Sequence, residues 1–331
     1  MNTLRLLVAA TLFSFCLPGQ SAAAMSAEEV LKTVVKVRTT ISKEAESART
    51  LGTEREGNGV VIDSDGTILT AGYLIRDART IEVTAQNGES VSARFVAYDF
   101  NTGFGLVRAE KNLGLEPIPL GQSSAVKAGD AILVAAHGGE AAVQVALVVS
   151  RGEFVGYWEY LIDEAIYTVP AHGRYGGAAL IDSDGRLVGI ASLLTQVLVP
   201  EFGLISCNVS IPIDLLRPIL ASLLRTGRSG QAPRPWLGIN AQEAHGRIFL
   251  TRVVPGSPAE KAGLKPGDIF LTVAGKEITG LADFYRKVWA TGTAGAQIPL
   301  GVLQGVRVRE IKVRSLDRSW HAVPPRGDVT L

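Results

Sequence analysis

At 331 residues, 47% of them apolar and 20% charged, the chain has the composition of a folded protein of two or three domains with a sizeable core. Disorder is excluded as its general state. With 33 basic against 32 acidic residues the formal charge is +1, which leaves no electrostatic footprint for nonspecific nucleic-acid binding.

The N-terminus opens on Arg5, an apolar run over residues 6–13 and the small residues Ser21-Ala22-Ala23-Ala24. That order is the pattern of a secretory signal peptide over residues 1–24, which implies a periplasmic or secreted protein. The run is too short to span a membrane, and two fates stay open: cleavage near Ala24, or retention as an anchor. Cys16 follows Phe13-Ser14-Phe15 and lacks the small residue that a lipoprotein cleavage site needs. Cleavage removes Arg5 and no acid, and it leaves one cysteine, Cys207. No stable membrane span and no internal disulfide are then expected, although the compartment would permit a disulfide.

Next, Val34-Val35-Lys36-Val37-Arg38-Thr39-Thr40 alternates and is β-branched, as a first strand is. Residues 43–56 are polar and read as a surface loop. An Asp-Gly turn between apolar runs is a hairpin signal, so residues 60–62 pair with 67–69 and residues 180–181 with 187–190. Both hairpins carry Asp-Ser-Asp-Gly, once in each half of residues 30–225, and this repetition predicts two related β-barrels. A calcium loop starting at Asp63 would need a bidentate Glu at its twelfth position, which is Leu74; no metal site is expected. Strands continue through Val209, with turns at Gln86-Asn87-Gly88 and Ala128-Gly129-Asp130. Asp214 is predicted to cap a helix over residues 215–225 whose apolar face is Leu216, Ile219, Leu220 and Leu223. Residues 226–235 read as a linker. Beyond it, Ser257 with Pro258 starts a helical turn that Gly263 ends. Lys265-Pro266-Gly267-Asp268 turns into a strand over 269–273, a helix spans 281–290 and a closing strand spans 306–313.

Four stretches, in this order, carry a resemblance. Residues 57–70 (GNGVVIDSDGTILT), 97–108 (AYDFNTGFGLVR), 120–130 (LGQSSAVKAGD) and 174–190 (RYGGAALIDSDGRLVGI) resemble the GSGVIIDxDGYILT, DxxTDLAVLK, LGxSxxLxxGD and GNSGGPLLDxDGxVIGI segments of trypsin-like serine proteases of the HtrA kind. Residues 234–239 (RPWLGI) and 254–270 (VPGSPAEKAGLKPGDIF) resemble the carboxylate-binding loop and the adjoining segment of that family's PDZ domain. The resemblance implies an all-β protein: a chymotrypsin-like double β-barrel over residues 28–225, a linker over 226–235, a PDZ domain over 236–316 and a tail over 317–331.

Matched to the family, the positions of the catalytic His, Asp and Ser hold Tyr73, Gly103 and Gly176. Aligning on the glycine pair instead puts Tyr175 at the nucleophile; neither register supplies a serine. A hydroxyl must attack, an imidazole must take and return the proton, and a carboxylate must orient the imidazole. Glycine does none of these, and a phenol with a pKa near 10 is a poor general base. Loss of the nucleophile or the base alone costs about a factor of a million in turnover. Arg174 stands where the family has a glycine in the loop that presents the oxyanion-binding amides. Of His137, His172, His245 and His321, His172 lies four residues before Gly176 and is the candidate to reach the cleft, though not on the barrel that normally supplies the base; its blander reading is a solvated loop histidine. Cys207 reads as a small buried hydrophobe on a strand rather than a thiol nucleophile.

The expectation is therefore a catalytically silent HtrA-like protein with no cofactor, binding protein or peptide C-termini through the PDZ groove. Its role would be that of a scaffold, a chaperone-like holder or a regulatory partner. The alternatives are an active periplasmic serine endopeptidase in protein quality control and a structural subunit with an unused groove. Backbone amides of Leu237, Gly238 and Ile239 would hold the terminal carboxylate. Leu281, Tyr285 and Val288 share a helix face, as groove wall or as core. Active family members are usually trimers, so homo-oligomers or hetero-association with an active relative are the assemblies implied.

Overall fold

The computed structural model describes residues 26–199 and 203–321; the signal segment 1–24 and the tail beyond 321 lie outside the described residues. Ser26 caps α1 (Ala27–Lys32) reciprocally with Glu29. Six strands follow: β1 (Val34–Ile41), β2 (Glu54–Val61), β3 (Thr67–Ala71), β4 (Ala78–Thr84), β5 (Ser90–Tyr98) and β6 (Phe104–Ala109). They close into a barrel in the order β1-β2-β3-β6-β5-β4. The second barrel comprises β7 (Ala131–Ala135), β8 (Val143–Gly156), β9 (Tyr160–Val169), β10 (Ala179–Ile181), β11 (Leu187–Val199) and β12 (Gly203–Pro212). Read from β7, its order β7-β8-β9-β12-β11-β10 repeats the first.

Both Asp-Gly hairpins form as expected, with Val60 opposite Leu69 and Leu180 opposite Gly189. They are β2–β3 and β10–β11, however, which are not equivalent in the two barrels. The two-barrel reading was right, but the repeated turn is not its cause: Asp-Gly serves any tight hairpin. Residues 43–56, expected as a loop, hold a helical turn, α2 (Ala48–Leu51), and the start of β2.

Side-chain alternation divides the cores. Val35, Val37, Ile68 and Val83 fill the first barrel, and Val134, Val148, Ile166 and Leu180 the second. The opposite faces, with Val34, Leu69 and Phe104 against Tyr160, Val209 and Ile211, make a third cluster that joins the barrels. Each such buried side chain contributes about 1.5–3 kcal/mol. A further single turn, α3 (Gly72–Ile75), follows β3. The helix after β12 is α4 (Arg217–Thr226), and its face Leu216, Ile219, Leu223 is buried as expected. Asp214 does not cap it: a 3-10 turn over Ile213–Leu215 intervenes, and the Asp214 carboxylate accepts from the Ser124 N–H at 2.8 Å.

The C-terminal unit begins with β13 (Pro235–Trp236). Its main sheet runs β14 (Ile239–Ala244), β15 (Arg247–Val253), β16 (Ile269–Val273), β18 (Gln297–Gln304), β19 (Arg307–Arg314), with β17 (Lys276–Glu277) beside β16. Ser257 caps α5 (Pro258–Lys261) as its sequence predicts, accepting from the Glu260 N–H. The longer α6 (Leu281–Ala290) packs Leu281, Phe284, Tyr285 and Val288 into the domain core. β20 (Leu316–Asp317) pairs with β13, so the chain returns to the start of this unit across the predicted boundary between the PDZ domain, 236–316, and the tail, 317–331.

Candidate functional site

The positions matched to the triad meet at the seam between the barrels. Gly72, opening α3, donates its N–H to the Gly103 carbonyl at 2.8 Å, and Arg55 Nη1 donates to the Tyr73 carbonyl at 2.7 Å. The backbone therefore still ties the histidine position to the aspartate position. Across the seam, Asn58 acts as a clamp. Its main-chain N–H donates to the Gly176 carbonyl at 2.7 Å, and its Nδ2 donates to the carbonyls of Arg174 and Gly176 at 2.7 and 3.0 Å. Its Oδ1 accepts from the His137 N–H at 2.8 Å.

Gly176 faces Tyr73: a Cβ on Gly176 would stand 2.7 Å from the Tyr73 hydroxyl. The phenol occupies the room that a nucleophilic side chain would need. Burial pushes the Tyr73 phenol well above the usual tyrosine range, so it is a protonated hydroxyl at neutral pH and no base. Gly103 adopts φ 86°, and a Cβ there would collide with the hydroxyl of Tyr160. Tyr160 donates that hydroxyl to the Thr102 carbonyl at 2.7 Å. A tyrosine from β9 thus fills the space where an orienting carboxylate would stand.

The oxyanion loop is altered in a way that the sequence did not announce. The Arg174 N–H donates to His172 Nδ1 at 3.1 Å, and His172 Nε2 lies 3.1 Å from the Ala142 carbonyl. These two partners fix the imidazole as the Nε2–H tautomer. Its main-chain N–H donates to Asn208 Oδ1 at 2.6 Å. The expected solvated histidine is therefore corrected: His172 is 7% exposed, and burial lowers its pKa. Neutral, with both ring nitrogens engaged, it holds the amide two residues before Gly176 away from any oxyanion. Above these groups lies a cleft of about 750 Å³ lined by Lys36, Glu54, Tyr73, His137, Arg174 and Gly176. Cys207 is fully buried on β12, as expected, and burial pushes its thiol up to about 11.

In the second unit the amides of Leu237, Gly238 and Ile239 converge on one carboxylate. It belongs to Glu159, at the tip of the β8–β9 hairpin: Oε1 accepts from the Leu237 N–H at 2.8 Å, and Oε2 accepts from Gly238 and Ile239 at 2.8 and 3.0 Å. Glu159 is 7% exposed. Burial raises its carboxyl pKa, against the three amides and Arg318, which pull it down. Sequence reading missed Glu159, Asn58 and Tyr160; the amides that hold the Glu159 carboxylate lie 78 to 80 residues away, and no local pattern connects them. Leu281, Tyr285 and Val288 are all buried in the domain core, with only the Tyr285 hydroxyl reaching the hairpin. Among the described residues, no group of three or more His, Cys, Asp or Glu is placed to hold a metal ion, and no helix is long and apolar enough to cross a membrane.

Comparison with known proteins places this geometry. The trypsin-like peptidase domain family matches residues 57–190 and the PDZ domain family matches residues 249–300. The chain is 30% identical over 274 residues to a probable periplasmic serine protease do/HhoA-like of Haemophilus influenzae, covering 78% of this chain and 57% of that protein. It is 27% identical over 263 residues to the periplasmic serine endoprotease DegP of Escherichia coli K12, covering 75% and 54%. The chain thus spans about half the length of the curated relatives it matches. An HtrA-type protease, AlgW, solved with a decapeptide, superposes with a TM-score of 0.53 at 22% identity, over 88% of this chain and 98% of that one; this likeness concerns the fold. The chain therefore carries a trypsin-like peptidase domain followed by a PDZ domain and is a homologue of the HtrA/DegP serine proteases.

Proposed function

We propose that this chain is a non-hydrolytic HtrA-like protein of the periplasm that binds protein or peptide C-termini through its PDZ groove, as a scaffold, a chaperone-like holder or a regulatory partner. Residues 28–225 supply the frame, residues 226–235 connect, and residues 236–316 bind. The observation that carries the reading is the Tyr73 hydroxyl packed against Gly176, where catalysis needs a serine backed by a histidine. The binding half draws on the three convergent amides at residues 237–239, a geometry suited to a carboxylate.

The similarity to periplasmic serine proteases favours a second reading, an active endopeptidase. It would need a nucleophile and a base from elsewhere, and His172 and Cys207 are both buried and otherwise engaged or protonated. The binding reading is tested with one peptide ending in an apolar residue, prepared as free acid and as C-terminal amide and titrated onto the intact chain. The free acid should bind more tightly; equal affinities would remove the carboxylate nest as the basis of recognition.

A further inference from the structure

The loop Tyr157-Trp158-Glu159 joins β8 to β9, and its surroundings belong to the other domain. The Ala241 N–H on β14 donates to the Tyr157 carbonyl at 2.8 Å, which is how an added strand bonds a sheet edge. Val155, four residues before Glu159, packs against the PDZ core. The Tyr285 hydroxyl on α6 donates to the Gly156 carbonyl and accepts from the Glu159 N–H, both at 3.1 Å. Arg286, one residue further along α6, pairs with Glu153 at 2.6 Å and with Asp163, one on each strand of the hairpin. Arg318, just beyond β20, donates to the Trp158 carbonyl at 3.0 Å.

We infer that this hairpin tip is a built-in pseudo-ligand: residues 155–159 occupy the peptide groove between β14 and α6, the Glu159 carboxylate takes the seat of a terminal carboxylate, and an incoming C-terminus must displace them. The inference rests on the reading of residues 237–239 as a carboxylate nest. Three features argue for a built contact rather than a chance one. Glu159 holds φ 58°, a conformation that a non-glycine residue keeps only where its surroundings over-determine it. Its carboxylate is buried, which is costly unless hydrogen bonds compensate, and both oxygens are compensated by amides. The groove is contacted at its floor, its strand edge and its helix by one segment of the same chain. Such a tethered occupant competes at an effective concentration that short linkers bring to the millimolar range, and external affinity falls by the fraction of molecules whose groove is open.

Two variants of the intact chain separate the outcomes. Glu159→Gln sets an amide NH2 donor against one of the nest N–H groups, and Tyr285→Phe removes the hydroxyl that holds the tip while leaving the core ring in place. In each, hydrogen exchange at the amides of residues 237–239 should rise about tenfold or more over the parent, and the free-acid peptide should bind about tenfold more tightly. Melting curves identify a variant that has merely unfolded, and the other then carries the comparison. Unchanged exchange and unchanged affinity in a folded variant, with the peptide still bound, would overturn the pseudo-ligand and leave the binding reading intact. Raised exchange with no peptide bound by any form would support the hairpin's occupancy and sink the binding reading instead.

Discussion

Gly103 and Gly176 both stand at positions matched to the catalytic residues, but they resist a side chain differently. At Gly176 the backbone would accept a side chain and the Tyr73 hydroxyl stands in its way; at Gly103 both the positive φ and Tyr160 exclude one. Gly103→Asp should therefore destabilise the fold by about 1–3 kcal/mol, read as a lowered denaturant midpoint; an unchanged midpoint would show that β9 yields easily. For the same reason Tyr73→His with Gly103→Asp and Gly176→Ser should restore little proteolysis. Arg174→Gly should help only in part, since His172 also holds the amide at 174. Cys207 makes a separate prediction. With its thiol pushed up to about 11 by burial, it should resist iodoacetamide at neutral pH and react once denaturant opens the second barrel, because only the thiolate is nucleophilic. Rapid labelling of the native chain would contradict its place on β12.

At the scale of elements, Asn58 on β2 joins the barrels through three donated bonds and one accepted bond. Asn58→Ala leaves the Arg174 carbonyl without its side-chain donor and the His137 N–H without its acceptor. About 1–3 kcal/mol of stability should be lost, measured by thermal or denaturant unfolding; no loss would mean that water replaces the clamp. Asn58 lies in a segment whose family likeness was legible, yet its role was not, because its partners come from the loops around residues 137 and 174–176. The same contrast runs through the chain. Hairpins β2–β3 and β10–β11 were legible from their Asp-Gly turns, and α5 from Ser257-Pro258, since these signals are local. Asp214 has the residue type of a helix cap but bonds Ser124, a tertiary preference that no window around residue 214 contains. The tip of β8–β9 shows only aromatic residues around Glu159, and its meaning comes from a domain that begins some eighty residues later.

For the whole molecule, the barrels supply a frame whose seam is closed by tyrosines, and the PDZ unit lies against that frame through Glu159, Tyr285, Arg286 and Arg318. Arg252 on β15 adds an ion pair to Glu46 at 3.4 Å, and Glu46 also holds Arg76. The two-domain plan was readable from motifs; the docking of one domain on the other was not, because it joins residues that are silent in their own segments. The central claim is that this frame does not hydrolyse peptides. Its most direct measurement is fluorophosphonate labelling of the purified intact chain beside a casein-cleavage assay. The account predicts neither label nor cleavage above buffer, whereas labelling abolished by substitution of a single Ser or Thr, with cleavage lost in parallel, would contradict it.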